Sequence, residues 1–383
     1  MSGQLKTYMA VNINANVADK TYDGTNAATI VGGVTSKSGL PSGISLQTGS
    51  ANATFVDQNA GSNKALIISG VTFNGGNTIV NYSGQNYYIN GLDSKTATIN
   101  KANLVLEGGK VYDGTTTVAG STLIANGANG QTFSVTGAGD LSNLSSKNVQ
   151  TNSALSSITG LSLGSSANGG LASNYNVLSS SGSKYTVTPK ALTLSGISAS
   201  DKVYDATTSA TLNTSNVSYS GLIAGDAVGL AGTGYGVFAS KNVGTHAVTV
   251  SSYTLSGPNA GNYVVTQPTG ITATISKADL VVTGITAIDK TYDAMTNAIL
   301  SGTASVSALG SDSVSVLGVG TASFANADAG ISKGVIVSGF TLGGTDAGNY
   351  NVIQPTNVSA TINKADLVPV SYTHLTLPTI CSV

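Results

Sequence analysis

A four-residue phrase, Lys-x-Tyr-Asp, occurs four times in this chain, at residues 20–23, 110–113, 202–205 and 290–293. Its tyrosines, Tyr22, Tyr112, Tyr204 and Tyr292, stand 90, 92 and 88 residues apart. A domain-sized period of this kind dictates the architecture before any local pattern is read. Each aspartate (Asp23, Asp113, Asp205, Asp293) is followed by Gly or Ala and then by threonine, directly or after Met295. A position requiring positive φ would strongly favour glycine. Ala206 and Ala294 therefore point to an ordinary type I or Asx turn, in which the aspartate caps its own backbone where a strand ends.

Other landmarks keep their places. An Asn-Tyr pair comes late in every unit, with Tyr87, Tyr175, Tyr263 and Tyr350, and a Lys-Ala pair closes the unit 14 or 15 residues later. Such low tolerance of insertion implies a hairpin or a paired strand. Between the two tyrosines a looser phrase recurs at 55–61, 238–244 and 324–330, whereas the second unit reads Leu144-Ser145-Ser146-Lys147-Asn148-Val149 and has lost it. The units are thus 1–100, 101–189, 190–276 and 277–363, with 364–369 beginning a fifth. The second is degenerate and serine-rich, and its middle is expected to pack poorly.

In the fourth unit, strands are expected at 280–285, 290–292, 313–317, 334–342, 350–353 and 359–362, with room for one or two more. Ser313-Val314-Ser315-Val316-Leu317 and His246-Ala247-Val248-Thr249-Val250 alternate polar with apolar, the pattern of a half-buried antiparallel strand. In the first unit the same alternation puts Met9, Val11 and Ile13 on one face. No stretch shows a long, capped 3.6-residue period. About seven short strands per unit predict an all-β fold, a tandem array of four small immunoglobulin-like β-sandwiches. A β-grasp unit or a β-helix competes, the latter weakened because its coils repeat at about 20–30 residues. Residues 273–282 pass from one unit to the next without Pro or Gly. The expectation is a stiff, monomeric, elongated rod, with a radius of gyration above the roughly 21 Å of one compact globule of this length.

Only 9% of residues are charged, against roughly 25% in ordinary soluble domains, so Ser, Thr and Asn must provide solubility. A net charge of −1 without a basic run removes the electrostatic basis of nucleic-acid binding, and no apolar run is long enough to span a membrane. The amino terminus lacks the apolar core of a signal peptide, and neither end carries an atypical capping unit. The missing signal core leaves a cytosolic protein or a fragment of a longer one, and the missing caps favour the fragment. Residues 370–383 resemble the translation of a sequencing adapter and are set aside from the fold. They hold Cys381 and His374, and without them the chain has no cysteine and no disulfide framework.

The Tyr-Asp-Gly phrase, the Gly-Asn-Tyr phrase and the Ala-Thr-Ile-x-Lys-Ala junction resemble the YDG- and MBG-type repeats of filamentous-haemagglutinin-like bacterial adhesins, over about residues 1–369. The resemblance implies a surface or secreted protein of the two-partner secretion kind in a Gram-negative bacterium, with these units as its shaft. It implies no catalytic residue and no cofactor. Contacts with host or neighbouring-cell glycans or proteins would be made through the parent adhesin, or, alternatively, the repeats would themselves bind carbohydrate or matrix.

Candidate chemistry is thin. A nucleophile-elbow pattern lies at 160–164, but its unit has no histidine to act as base. His246 has no cluster around it for a metal, and the turn aspartates supply one carboxylate each where calcium needs several oxygens. The eight marker tyrosines could form an exposed ladder for glycan stacking. Packed rings with locally bonded hydroxyls are the expectation. Lys290, Asp293 and Asn349 are the ingredients of an isopeptide cross-link, against which stands the ordinary reading of a strand lysine.

Overall fold

The computed structural model describes residues 7–92 and 95–369, and among them the regular elements are β-strands with five single-turn 3-10 segments and no α-helix. The chain is all-β. The first six residues and the adapter-like tail, with His374 and Cys381, lie outside the described residues.

The fourth repeat shows the plan. In one layer Ala278–Val281 runs parallel to Tyr350–Ile353, Thr283–Ala287 pairs antiparallel with Leu300–Ser305, and Ser315–Leu317 with Thr341–Gly343. The other layer is a curled sheet in the order Lys290–Thr291, Ser359–Asn363, Gly330–Ser338, Thr321–Phe324. Alternation decides which side chains go inward: Val335 and Val337 are buried while Ile336 between them faces water. They pack with Phe324, Ala360 and Ile362 against Val282, Ile285, Leu300 and Val316 of the first layer. Burying a ring such as Phe324 is worth about 1.5–3 kcal/mol. In the third repeat Val248 and Val250 point inward as expected, and in the first Val11 and Ile13 do, while Met9 is exposed.

Two strand expectations need correction. Residues 334–342 do not form one strand: Gly339, at φ +92°, turns the chain so that Gly330–Ser338 and Thr341–Gly343 enter different layers. Of the two readings of the segment from late tyrosine to closing lysine, paired strands hold and the hairpin does not. Tyr350–Ile353 and Ser359–Asn363 lie in separate layers, each parallel to a different part of the repeat's opening segment. The short Lys-x strand beside the closing strand recurs as Lys20–Thr21, Lys202–Val203 and Lys290–Thr291. In all four repeats the following tyrosine donates its amide to the closing strand, from Tyr22, Tyr112, Tyr204 and Tyr292 to Asn100, Thr188, Ser276 and Asn363. Each repeat therefore ends beside its own beginning, and the next one starts next to the tyrosine.

The second repeat is not loose. Gln150–Ser153, Lys184–Thr188, Val105–Val111, Leu123–Asn126, Thr132–Thr136 and Ser162–Ser166 form one six-stranded sheet in that order. Leu106, Leu123, Phe133, Leu144, Leu155 and Tyr185 are buried, along with Asn143. Leu144 stands where Phe238 stands in the third repeat, and Lys147-Asn148-Val149 matches Lys241-Asn242-Val243, so the phrase was altered at its ring and kept at its end.

Candidate functional site

The Lys-x-Tyr-Asp phrase folds into a closed turn. Lys202 Nζ donates to Asp205 Oδ1 at 2.7 Å, to Thr207 through both its carbonyl and its hydroxyl, and to the Ser209 carbonyl, and it lies 5.4 Å from the Phe238 ring centre. Lys20, Lys110 and Lys290 likewise donate to the turn aspartate and to the carbonyl two residues beyond it. Each aspartate also accepts the amide two residues on, from Thr25, Thr115, Thr207 or Met295. Asp23, Asp113 and Asp205 are pushed up by burial, but the lysine and threonine hydrogen bonds outweigh this and hold them below the ordinary value; at Asp293 the Lys290 bond is the leading cause.

The aspartate caps its own backbone, but the residue after it does need positive φ. Gly24 and Gly114 sit at +79°, and Ala206 and Ala294 at +62° and +61°. The caging bonds hold alanine in a left-handed conformation that costs an L-residue about 1–2 kcal/mol. Ala294 is exposed, so Ala294→Gly loses no packing and is expected to stabilise the fourth repeat by about 0.5–1 kcal/mol, read as a higher denaturation midpoint. An unchanged or lower midpoint would show that the turn relaxes.

The tyrosines pair across neighbouring repeats, and the late ones also pack and bond within their own: Tyr175 meets Phe133 edge to face, and the Tyr175, Tyr263 and Tyr350 hydroxyls accept the amides of Ala128, Ile223 and Leu309. Tyr22 meets Tyr175 edge to face at 5.4 Å, Tyr112 meets Tyr263 at 5.5 Å, and Tyr204 meets Tyr350 at 5.3 Å. Each pair joins a Lys-x-Tyr-Asp tyrosine to the late tyrosine of the following repeat, and all six rings are buried. In the last two junctions both hydroxyls donate to one carboxylate oxygen: Tyr112 and Tyr263 to Asp226 Oδ2 at 2.8 and 2.6 Å, Tyr204 and Tyr350 to Asp312 Oδ2 at 2.6 and 2.8 Å. The other oxygen takes Lys147 or Lys241 at 3.1 and 2.6 Å, and both aspartate side chains are only 1% exposed. In the first junction Gln131 replaces the aspartate, and Tyr22 and Tyr175 both bond to it.

The asparagine before each late tyrosine completes the joint. Asn174, Asn262 and Asn349 accept the amides of Ala60, Val149 and Val243 and donate to Asn59, Asn148 and Asn242. Sequence reasoning named the tyrosines but missed Gln131, Asp226, Asp312, Lys147 and Lys241. Their signal is a coupled change, since Gln58 with Gln131 stands where the later junctions have lysine with aspartate. At the two ends, Tyr87 is half-buried and Tyr292 is 44% exposed.

These clusters set a pH window. Burial pushes Asp226 and Asp312 up, but the tyrosine and lysine hydrogen bonds prevail and leave both below the ordinary 3.8. Burial first, then the bond to the aspartate, pushes Tyr263 up to about 12; burial is likewise the main cause of the same rise at Tyr350. A depressed carboxyl contributes stability that is present above its unfolded value and is lost as pH falls through the folded one. A raised phenol contributes below its unfolded value near 10 and loses it as pH climbs towards 12. The denaturation midpoint of the chain is therefore expected to be flat from about pH 5 to 9 and to fall below about pH 4 and above about pH 10. A midpoint unchanged between pH 4 and 2 would mean that the buried carboxylates do not bear on folding.

Other candidates are not assembled. Ser162 lies in a regular strand, paired with Thr136, and not on a nucleophile elbow. His246 bonds the Asn242 carbonyl at 2.7 Å. No group of three or more His, Cys, Asp and Glu able to hold a metal occurs among the described residues. Lys290 is caged by its own turn while Asn349 bonds Val243 and Asn242, so the isopeptide ingredients are not brought together.

A family model described as YDG domain matches the chain four times in succession, at residues 6–91, 93–183, 188–270 and 276–358. Among solved structures, the Bacillus anthracis TIE protein is similar at 8% identity, covering 92% of this chain and 75% of that one, with a TM-score of 0.14. That likeness is too slight to bear on fold or function. No curated protein matches.

Proposed function

The chain belongs to the YDG domain family, and from that premise we propose that it is a non-enzymatic spacer, part of a bacterial cell-surface or secreted adhesin of the filamentous-haemagglutinin-like kind. The observation that carries this reading is the thrice-repeated junction. A chain whose joints are closed by buried tyrosine pairs and a shared hydrogen-bond acceptor, without a Gly- or Pro-rich linker, can hold a distal binding region away from a surface. Two-partner secretion, an extracellular location and contact with host or neighbouring-cell glycans or proteins belong to the same proposal. No helix among the described residues is long and apolar enough to cross a membrane.

The alternative, glycan binding by the repeats themselves, needs exposed aromatic faces, and six of the eight marker tyrosines are buried in the joints. The full chain on a glycan array should stay at background. Saturable binding to a defined glycan would replace the spacer with a binding module.

A further inference from the structure

The fourth repeat carries, unfilled, the face that the first three use. Tyr292 closes its turn as Tyr22, Tyr112 and Tyr204 do, yet those three are 1–3% exposed and it is 44% exposed, with no ring partner among the described residues. Ala329 stands where Ala60, Val149 and Val243 donate their amides to the next repeat. Asp328 offers an oxygen where Asn59, Asn148 and Asn242 offer theirs. Tyr292, Asp328, Ala329, Lys364, Ala365 and Leu367 line an open hollow of about 550 Å³. Residues 364–368 repeat residues 277–281 letter for letter. In the earlier copy Leu280 is buried in register with Val352, whereas Leu367 and Val368 are 95% and 85% exposed.

We infer that this face docks a further YDG repeat, presented by its Asn-Tyr turn, and that it selects one with an uncharged hydrogen-bond acceptor in the place of Gln131. The occupied junctions pair Gln58 with Gln131, Lys147 with Asp226, and Lys241 with Asp312, neutral with neutral and cation with anion. In the fourth repeat that position is Ala327, next to the acidic Asp328. An incoming buried aspartate would meet a methyl group where Lys147 and Lys241 hold the earlier ones. Lys364 also lines the hollow, but its counterpart Lys277 makes no ion pair with Asp312, and an unpaired buried carboxylate costs far more than an amide. The first repeat of a second copy does not fit. Ile44 occupies the place of Asp312, its amide on Pro41 as that of Asp312 is on Leu309, and Asn86 is held by Asn81 of its own repeat. The inference rests on junction geometry and not on the spacer reading.

The test extends the full chain beyond Val368 with a copy of residues 106–189, once as it stands and once with Gln131→Asp in the copy. Amide exchange at Ala329 and nitration of Tyr292 are the readouts. The copy's own Tyr112 amide reports that it has folded. The glutamine copy should slow Ala329 exchange by roughly tenfold or more and protect Tyr292, and the aspartate copy should do neither. A second pair, using residues 282–363 with Asp or Gln at the 312 position, keeps the test standing where the first copy does not fold. Folded extensions that leave Ala329 and Tyr292 as they are would overturn the docking, and equal protection by Asp and Gln would overturn the selectivity.

Discussion

Replacing Asp312 by alanine is expected to destabilise the chain by about 3–5 kcal/mol. The Asp312 carboxylate is 1% exposed and takes three hydrogen bonds, from Tyr204, Tyr350 and Lys241. Alanine would leave two buried phenol hydroxyls without their acceptor and leave the Lys241 ammonium only the more distant Asp346 carboxylate at 3.8 Å, and unmade bonds in a dry site cost more than made ones contribute. The first junction shows how to separate charge from hydrogen bonding, because Gln131 there receives Tyr22 and Tyr175 with no lysine beside it. Lys241→Gln combined with Asp312→Gln copies that arrangement and should recover most of the loss, to within about 1–1.5 kcal/mol of the parent. Denaturant unfolding of the full chain, followed at the transition that includes the third and fourth repeats, gives both values. A loss under about 1 kcal/mol for Asp312→Ala would place water in the cluster and remove its role in closing the joint.

The repeat, its period and its all-β character were legible because each rests on something a single sequence shows: recurring phrases, turn residues and period-two alternation. What the tyrosines touch was not. Periodicity says that Tyr204 is inside, but not whether it packs within its own unit or against the next, since both burials have the same pattern. Parallel pairing was hidden for a similar reason: Ala278–Val281 alternates in the same way whether its neighbour runs with it or against it. At Ala206 and Ala294 the turn takes the positive φ that alanine's own preference disfavours, because the cage outweighs that preference. Four bonds to Lys202 and two to the Asp205 side chain from Thr207 hold a conformation that alanine alone would avoid. Steric room follows the same logic across the joint. A Cβ on Gly24 would lie 2.6 Å from the Asn129 side chain and one on Gly114 2.8 Å from Ile223, whereas Ala206 faces Gly310. Space for the methyl was made on the opposite side, a coupling that no reading of one repeat alone reveals.

The second repeat lacks the phenylalanine that fills the others, and its expected looseness is replaced by a polar plug whose removal should be nearly as costly. Asn143 is fully buried. Its Oδ1 accepts the amides of Val118 and Asp140 at 3.1 and 2.7 Å, and its Nδ2 donates to the carbonyls of Ser157 and Thr159 at 3.2 and 3.1 Å. It thus ties together three loop segments whose apolar side chains Val118, Leu144, Leu155 and Leu161 are also buried. Asn143→Ala strands two donors and two acceptors, and a loss of about 2–4 kcal/mol is expected. Asn143→Asp keeps the acceptor for Val118 and Asp140 but sets a carboxylate against two carbonyl oxygens, so it should lose at least as much near neutral pH and regain part of it in acid, once the group protonates and can donate. Unfolding midpoints of the three chains at pH 7 and pH 4 test this. An Asn143→Asp chain with the parent's midpoint at pH 7 would mean that water reaches the site, and the packing of the second repeat would then have to come from its six-stranded sheet alone.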